Sequence, residues 1–508
     1  MRPHIAAAVT VFLLFAAATA GAQVNGHVQT FDGKPVLTVW GTHSERGHAA
    51  GYLTGEEGKE VFEDYFIGYC CGGSGAVYSF LRTQYENNYA ADAKYEDEAQ
   101  GIISGMADAS VDLYVATLGR DMDATDILVA NCIVDLSGRM AADPFACSSM
   151  SSWGSSTLAD PVLAGHLVLT RLLDWSRHST LTDNPLLTVH FPSEADEQPW
   201  LSVGYAGLFG ALSAVSESGV SAFLNMGNNS SGSGGAPYHP ILLSVRNGIE
   251  TTDYDGDGEH TPADVTAAVA DRARNIDTIV HVTKDEGQNS RPIIIESNNA
   301  AGVAVRDQTD NTQVPGEHLA ATNHFRVLYS PVSCNRYSAI VDSLTASTEM
   351  SCERCWSVMA GAAGGPSNIQ CIQYVESRDL LLWSMDSYSQ PAYALEPTEF
   401  DVGDLFGCQM GVEEPQGVAS LRQNRPNPFG PVTRIEFALP APSECRLAVY
   451  DIRGRRVATL IDGRVGPGLT RVEWDGSTDG SERVASGIYL YRLETDAGEA
   501  TRKMLLLR

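Results

Sequence analysis

Two neighbouring stretches constrain this chain most. The first reads Phe145-Ala146-Cys147-Ser148-Ser149-Met150-Ser151-Ser152-Trp153-Gly154, and the second Leu169-Thr170-Arg171-Leu172-Leu173-Asp174-Trp175. A cysteine followed by small polar residues leads into an apolar run that carries an Arg and an Asp. A free thiol titrates at roughly 8.5 and attacks only as thiolate, so it needs a base or a nearby positive charge. No Cys-His-Asn protease signature surrounds Cys147. Cutting the bond after Ala146 supplies a base: the α-amine of Cys147, which titrates at roughly 7.7–8.0. Cys147 is therefore expected to become the first residue of a catalytic chain.

The address is legible at the start. Residues 1–22 read as a secretory signal, with Arg2 as the basic end, an apolar run from Ile5 to Thr19, and Ala20-Gly21-Ala22 before the cut. The run is short for a spanning helix, and no later stretch is long and apolar enough to span a bilayer. With 508 residues, 43% apolar, the chain has material for several domains with real cores. Its formal charge of −29 repels phosphate backbones and excludes nucleic acid as the natural partner. Export permits disulfides, and among the ten cysteines a bridge is expected within the cluster Cys334, Cys352, Cys355 and Cys371.

Residues 23–146 read as a mostly helical propeptide segment, opened by a strand at Val36 to Trp40. Helical periodicity covers Asp92 to Leu118 and Asp126 to Val134. Arg46, directly before a Gly47-x-x-x-Gly51 spacing, is either part of a ligand-gripping turn or a structural cap on a helix end. Residues 147–410 mix strands (Leu186 to Phe191, Leu201 to Val203, Val220 to Asn225, Pro292 to Glu296, Leu380 to Met385) with helices (Leu208 to Ser216, Asp264 to Asn275). That order points to an α+β or layered domain. Asn228 to Gly235 is a Ser/Gly-rich loop. A linker at residues 411–423 precedes a final domain, 424–508. There, short alternating runs separated by turn signals predict an all-β sandwich.

Asp253 to Asp264 has the spacing of a calcium loop. Hard Ca²⁺ takes six to eight oxygens on a short loop. Asp253, Asp255 and Asp257 supply positions 1, 3 and 5, and Gly258 turns at position 6. Glu259 offers its carbonyl, Thr261 stands at position 9, and Asp264 closes at position 12. The loop resembles those of dockerins, with Asp in place of the usual closing Glu. Within the 147–410 block it reads as a structural clamp carried by an insertion.

In order along the chain, further motifs accompany Cys147. Arg171-Leu172-Leu173-Asp174-Trp175 comes first, then Gly204-Tyr205-Ala206-Gly207 with Glu217-Ser218-Gly219-Val220 and Asn225. Thr322-Asn323 and Ser333-Cys334-Asn335-Arg336 follow. In this set the chain resembles the N-terminal-nucleophile (Ntn) hydrolases of the penicillin (6-aminopenicillanic acid) acyltransferase, choloylglycine hydrolase and acid ceramidase type, over about residues 35–400. The resemblance implies a four-layer αββα fold and a cysteine nucleophile freed by self-cleavage. It implies that Asp174 holds the Cys147 amine, that Arg171 favours the thiolate, and that Asn225 donates to the oxyanion. Asn323 and Arg336 complete the polar network. Leu172 departs from the family's usual Asn, and with it goes any substrate contact from that side chain. The implied activity is hydrolysis, or acyl transfer, of a linear amide C–N bond in a small substrate through a thioester, without an organic cofactor.

The tail carries Gln423 to Phe429, Val449-Tyr450-Asp451-Ile452-Arg453-Gly454, Trp474-Asp475-Gly476 and Ala485-Ser486-Gly487-Ile488-Tyr489. In these it resembles the C-terminal sorting domains of type IX secretion, which are similar to the Ig-like domain of the flagellar hook-cap protein. That implies a bacterial protein handed to secretion machinery and released or held at the cell surface. Two other readings compete with the enzyme: a non-catalytic, calcium-stabilised surface-binding protein, and a lysophospholipase-like esterase.

Overall fold

The computed structural model describes residues 24–141, 145–227, 235–310, 313–363 and 367–407, and most of 420–506 (excepting 422–423, 425–428, 440–441, 452, 467, 481 and 497). The expected signal, most of the linker and nearly all of the Ser/Gly loop lie outside the described residues. The chain divides into two compact units, the first ending at Gly407 and the second starting at Cys408.

The first unit runs β1 (Gly26–Phe31), β2 (Lys34–Gly41), α1 (His43–Glu60), a π-helix (Val61–Cys70), α2 (Gly75–Asn88), α3 (Ala93–Asp108), β3 (Tyr114–Val115), β4 (Arg120–Asp121), α4 (Ala124–Asn131) and α5 (Ile133–Leu136). Then come β5 (Phe145–Ser152), β6 (Val168–Trp175), α6 (Ser179–Asp183), β7 (Pro185–Pro192), β8 (Trp200–Tyr205), β9 (Ser213–Ser216), β10 (Ser221–Met226), α7 (Ile241–Glu250) and α8 (Pro262–Ala270). It closes with β11 (Thr278–Thr283), β12 (Ile293–Asn298), β13 (Gly302–Arg306), β14 (His318–Ala321), α9 (Asn335–Ala346), α10 (Cys352–Gly361), β15 (Asn368–Val375), β16 (Leu380–Met385), β17 (Thr398–Asp401) and α11 (Val402–Gly407).

Two sheets dominate. Nine strands pair in the order β1-β2-β7-β8-β9-β10-β11-β12-β13, and six in the order β14-β5-β6-β15-β16-β17. The sheets meet where β10 lies over β5. Helices α7 and α8 pack on the nine-stranded sheet, and α10 on β5 and β6 of the other. Strand β6 is buried along its whole length, which suits its central place between β5 and β15. Its side chains alternate: Leu169 and Leu173 join the core between the sheets, whereas Val168 and Leu172 join the core beneath α9 and α10. Leu172 therefore faces away from Cys147, and the departure noted there lies in helix packing.

Residues 23–146 do not form a separate helical body. Strand β2 pairs in parallel with β7, from Val36 opposite Leu187 to Gly41 opposite Pro192. The segment before Cys147 thus supplies one edge of the nine-stranded sheet. Helix α1 starts on a capping box: Glu45 N–H donates to the Thr42 hydroxyl at 3.4 Å, and Thr42 N–H to the Glu45 carboxylate at 2.8 Å. The Gly47 and Gly51 spacing is neither a turn nor a grip. It is a helix face against α3, where a Cβ on Gly47 would lie 2.1 Å from the Glu98 carbonyl oxygen and one on Gly51 2.0 Å from that of Ile102. Only bare backbone permits that approach.

The disulfide expectation fails. Nine of the ten cysteines are described and all nine are free thiols. Cys334 turns to the Thr322 hydroxyl at 3.5 Å, Cys355 to that of Ser152 at 3.9 Å, and Cys371 is buried in β15. No helix among the described residues is long and apolar enough to cross a membrane.

Among the described residues the second unit holds seven strands: β18 (Ser420–Leu421), β19 (Thr433–Leu439), β20 (Ser443–Asp451), β21 (Arg456–Val465), β22 (Gly468–Trp474), β23 (Gly487–Thr495) and β24 (Gly498–Leu506). They form a three-stranded sheet, β18-β19-β22, and a four-stranded one, β21-β20-β23-β24. Ile435 and Phe437 from the first share one core with Leu447, Val449, Tyr491 and Leu493 from the second. This is a sandwich, as the alternation predicted.

Candidate active site

Strand alternation puts Cys147, Ser149 and Ser151 of β5 on the face toward the other sheet. Opposite them on β6, Ala146 pairs with Asp174 and Ser149 with Arg171. Arg171 is fully buried. It donates to Ser213 Oγ at 2.7 Å, to the Leu224 carbonyl at 2.6 Å and to Cys147 Sγ at 3.6 Å. Its positive charge is thus held against the sulfur by β9 and β10.

The Cys147 peptide is gripped at both ends. Its N–H donates to Asn323 Oδ1 at 2.9 Å, and its carbonyl accepts from Arg336 at 2.8 Å. Asn323 Nδ2 in turn donates to the Met226 carbonyl at 2.7 Å. Arg336, near the start of α9, also reaches Ser148 Oγ at 3.1 Å, Asp174 Oδ2 at 3.4 Å and Asn323 Oδ1. Asn368 of β15 donates to Asp174 Oδ1 at 3.1 Å. Asn225 is buried on β10, its Nδ2 2.9 Å from Ser149 Oγ. The structure therefore gathers Cys147, Arg171, Asp174, Asn225, Asn323 and Arg336 from separate segments into one frame.

Burial pushes the Cys147 thiol above its ordinary value; Arg171 pulls the other way, Asp174 adds to the rise, and Arg336 and the Met226 backbone amide oppose it. The net rise keeps the thiol protonated near neutrality in the uncut chain, so a proton acceptor is needed beside it.

Sequence reasoning missed four participants. Asn368 orients Asp174, and Ser149, His281 and Ser151 form a buried hydrogen-bonded row behind Asn225. The only signals were the period-2 spacing of the serines from Cys147 and a His at an inward position of the apolar strand Thr278–Thr283. Also missed was a small apolar cleft lined by Phe62, Tyr65 and Phe66 of the π-helix, Ile133 after α4, and Trp175 and Tyr205. Burial lifts the Tyr205 phenol above its usual value, and the phenol lies close enough to Arg171 and Cys147 to feel both charges. Tyr205 is thus the lining residue that links the cleft electrostatically to Arg171 and Cys147.

The acidic loop sits elsewhere. Carboxylate oxygens of Asp253, Asp255 and Asp257 lie within 4.8 Å of one another. Oδ1 of Asp253 is buried without a partner. Asp264 instead turns to backbone, accepting from Tyr254 N–H at 2.6 Å, Asp255 N–H at 3.2 Å and Thr261 N–H at 2.7 Å. Thr261 caps α8, its hydroxyl accepting from Ala263 N–H, and the Glu259 N–H donates to Asp257 at 2.9 Å. The three carboxylates thus converge, Asp253 and Asp255 also accepting the N–H of Gly258 and Asp257 at 3.1 Å each, and Asp264 shapes the loop that carries them.

A second titratable cluster ties the segment before Cys147 to the rest of the unit. His43 Nδ1 is 2.6 Å from Glu98 and its Nε2 2.9 Å from Glu197. Arg46 meets Glu194 and Glu197, and Lys94 meets Glu197 at 2.9 Å and Glu250 at 2.8 Å. Arg246 donates to both Glu98 and Glu250. Arg46 is thus part of a structural ion network. Burial alone would lower the His43 pKa, but hydrogen bonds to Glu197 and Glu98 outweigh it and the net shift is upward. For Glu98, burial raises and Arg246 with His43 lowers, the lowering winning. The His43 contribution to stability is complete below its ordinary value of roughly 6.5 and is lost as pH rises through the raised one. The Glu98 contribution is complete above the ordinary carboxylate range and is lost in acid. Thermal melts are expected to give a higher Tm at pH 6 than at pH 8.5, and His43→Gln to shrink that difference. An unchanged difference in the variant would show that the imidazole is not the group responsible.

No family model matches the chain, and no curated protein matches it. Solved structures do resemble it. A Caenorhabditis elegans N-acylethanolamine-hydrolyzing acid amidase ortholog matches at 14% identity, over 45% of this chain and 93% of that one, with a TM-score of 0.33. A penicillin V acylase from Agrobacterium tumefaciens matches at 11%, over 50% and 85%, with a TM-score of 0.31. A conjugated bile acid hydrolase from Clostridium perfringens matches at 9%, over 49% and 96%, with a TM-score of 0.29. Scores of this size describe partial likeness of topology, and what the site does rests on its own geometry.

Proposed function

We propose that the chain is a secreted, self-cleaving cysteine amide hydrolase or acyltransferase of the Ntn type. The observation that carries the reading is the grip on Cys147: an Asn oxygen on its N–H, an Arg on its carbonyl, a second Arg on its sulfur and a carboxylate beside the preceding residue. A merely structural cysteine needs no such frame.

The chemistry runs in two stages. The Cys147 sulfur attacks the Ala146 carbonyl carbon, the C–N bond breaks with a proton passing to nitrogen, and a thioester links Ala146 to the sulfur. Water hydrolyses it and leaves a carboxylate on Ala146 and a free amine on Cys147. That amine, next to Asn323 Oδ1 and the Asp174–Arg336 pair, then takes the thiol proton as Cys147 attacks an amide substrate. The proton goes on to the leaving nitrogen, and water or an acceptor amine resolves the acyl-enzyme. Arg171 stabilises the thiolate, and Asn225 donates to the oxyanion. The apolar cleft that shares Tyr205 with the surroundings of the thiol favours an apolar acyl group. A panel of matched amides and esters, apolar and polar in the acyl part, tests this on the full chain. Amide turnover that falls as the acyl group becomes polar is expected; preference for polar acyl groups would count against the cleft as the acyl site.

Calcium at Asp253, Asp255 and Asp257 is proposed as a structural clamp, supported by the three converging carboxylates and the unpartnered Asp253 oxygen. An ion at about 100 times its Kd adds roughly 2.7 kcal/mol to stability. Calcium at millimolar concentration is therefore expected to raise Tm by several degrees over chelator, and Asp253→Ala with Asp255→Ala to abolish the rise. Equal melts with calcium and with chelator would remove the clamp. Export through the N-terminal signal and sorting by the second unit complete the proposal, the latter supported by its two-sheet sandwich.

A further inference from the structure

Ser151, His281, Ser149 and Asn225 form a fully buried row leading toward the nucleophile. Ser151 Oγ lies 2.9 Å from His281 Nε2, His281 Nδ1 lies 3.0 Å from Ser149 Oγ, and Ser149 Oγ lies 2.9 Å from Asn225 Nδ2. With Nδ2 so placed, the Asn225 Oδ1 is buried and meets no partner. Both neighbours of Asn225 in β10 reach the surroundings of the thiol. The Leu224 carbonyl takes Arg171, and the Met226 amide acts on Cys147.

The row has two possible directions, and its far end decides between them. Among the described residues, the Ser151 hydroxyl meets only His281 Nε2. A buried hydroxyl with one partner must donate to it, or its hydrogen is left unsatisfied. Nε2 is then the acceptor, so Nδ1 carries the ring proton and donates to Ser149. Burial, with Arg306 nearby, depresses the His281 pKa to about 3, so the ring is neutral and carries one proton only. Ser149 Oγ, having accepted from His281, donates its own hydrogen to its other partner among the described residues, the Asn225 amide. Only the amide oxygen can accept it.

We infer that Ser151, His281 and Ser149 are positioning residues that turn the Asn225 amide so that its oxygen faces Ser149 and its NH₂ faces the Cys147 side. This deepens the amide-hydrolase reading and rests on it for the identity of the acceptor, an oxyanion. In the opposite direction Asn225 would present a carbonyl there, which repels a developing negative charge. The row also explains why two serines alternate with Cys147 along β5: each anchors one side of the imidazole.

Two experiments on the full chain test the inference. The first is a double-mutant cycle with octanoyl-p-nitroanilide as probe, comparing wild type, Ser149→Ala, Asn225→Ala and the double variant. Ser149→Ala is expected to lower kcat at least about tenfold with KM little changed, and to add nothing in the Asn225→Ala background, because both act through one donor. A wild-type kcat for Ser149→Ala, or losses that multiply, would overturn it. The second uses ¹⁵N-histidine labelling, which reads the tautomer without needing activity or a variant. His281 protonated on Nδ1 from pH 5 to 9 is expected; protonation on Nε2 overturns the direction of the row. Turnover that survives Cys147→Ala would instead contradict the hydrolase reading, and the tautomer measurement would still judge the row.

Discussion

Cys147→Ala is expected to remain one uncut chain and to lose amide turnover by more than about 10⁴-fold, the scale on which nucleophile deletions act in enzymes whose groups work as a unit. The size of the loss follows from the double use of the sulfur. It breaks the Ala146–Cys147 bond, and without that break no amine is available as base. The variant loses the nucleophile and never frees the base. Cys147→Ser separates the two effects. Its hydroxyl retains the same gripped peptide but is a far weaker nucleophile, so slow cleavage with poor turnover is expected. Folding is not at risk, because Cys147 makes no disulfide and alanine fills most of its space. Thermal melts matching wild type, alongside lost turnover, would place the effect in chemistry.

Arg246→Ala is expected to destabilise the first unit by about 3–5 kcal/mol, measured as a drop in the urea midpoint, because it removes the buried cation that Glu98 and Glu250 share and leaves Glu98 with His43 and Glu250 with Lys94. The guanidinium donates to Glu98 at 3.0 and 2.7 Å, to Glu250 at 2.8 Å and to the Phe209 carbonyl at 2.9 Å. It also lies over the rings of Tyr95 and Trp200, each 4.9 Å away. Pairing Arg246→Met with Glu98→Gln removes one charge of each sign and should restore part of the loss. The consequence reaches function, because this network fastens α1 and α3 to α7. The same α1–π-helix segment lines the apolar cleft that holds Tyr205. A loss under about 1 kcal/mol for Arg246→Ala would mean that water or Lys94 compensates the carboxylates.

Strand alternation carried most of the reading of the fold. The run Leu380 to Met385 matches a strand end to end, starting directly after the left-handed Asp379. Leu208 to Ser216 was expected to be helical and is instead a turn followed by β9. Gly207 takes φ 83°, Ala211 N–H is drawn to the Leu242 carbonyl, and pairing with β8 and β10 overrides local propensity. Residues 61–70 gave no signal because seven of the ten positions in that π-helix are apolar or aromatic, which hides any period. The run Arg456 to Val465, not among the expected strands, pairs with β20 from Val465 opposite Ser443 to Arg456 opposite Tyr450, with two shifts of register on the way.

The site was legible as residue types in order, and much less so as contacts. Arg171 and Asp174 share one strand with Cys147's partner register, so their nearness followed from sequence once two adjacent strands were assumed. Asn323 and Arg336 lie more than 170 residues along the chain, and only the folded sheets bring them to the two ends of the Cys147 peptide. His281 carried no motif. Its role depends on which side of β11 faces β5, a matter of register.

N-terminal sequencing of the purified, secreted protein tests the central claim most directly. The expected result is two chains, one of them beginning Cys147-Ser148-Ser149, with no cut in Cys147→Ala. A fully active protein whose Ala146–Cys147 bond is intact would contradict it.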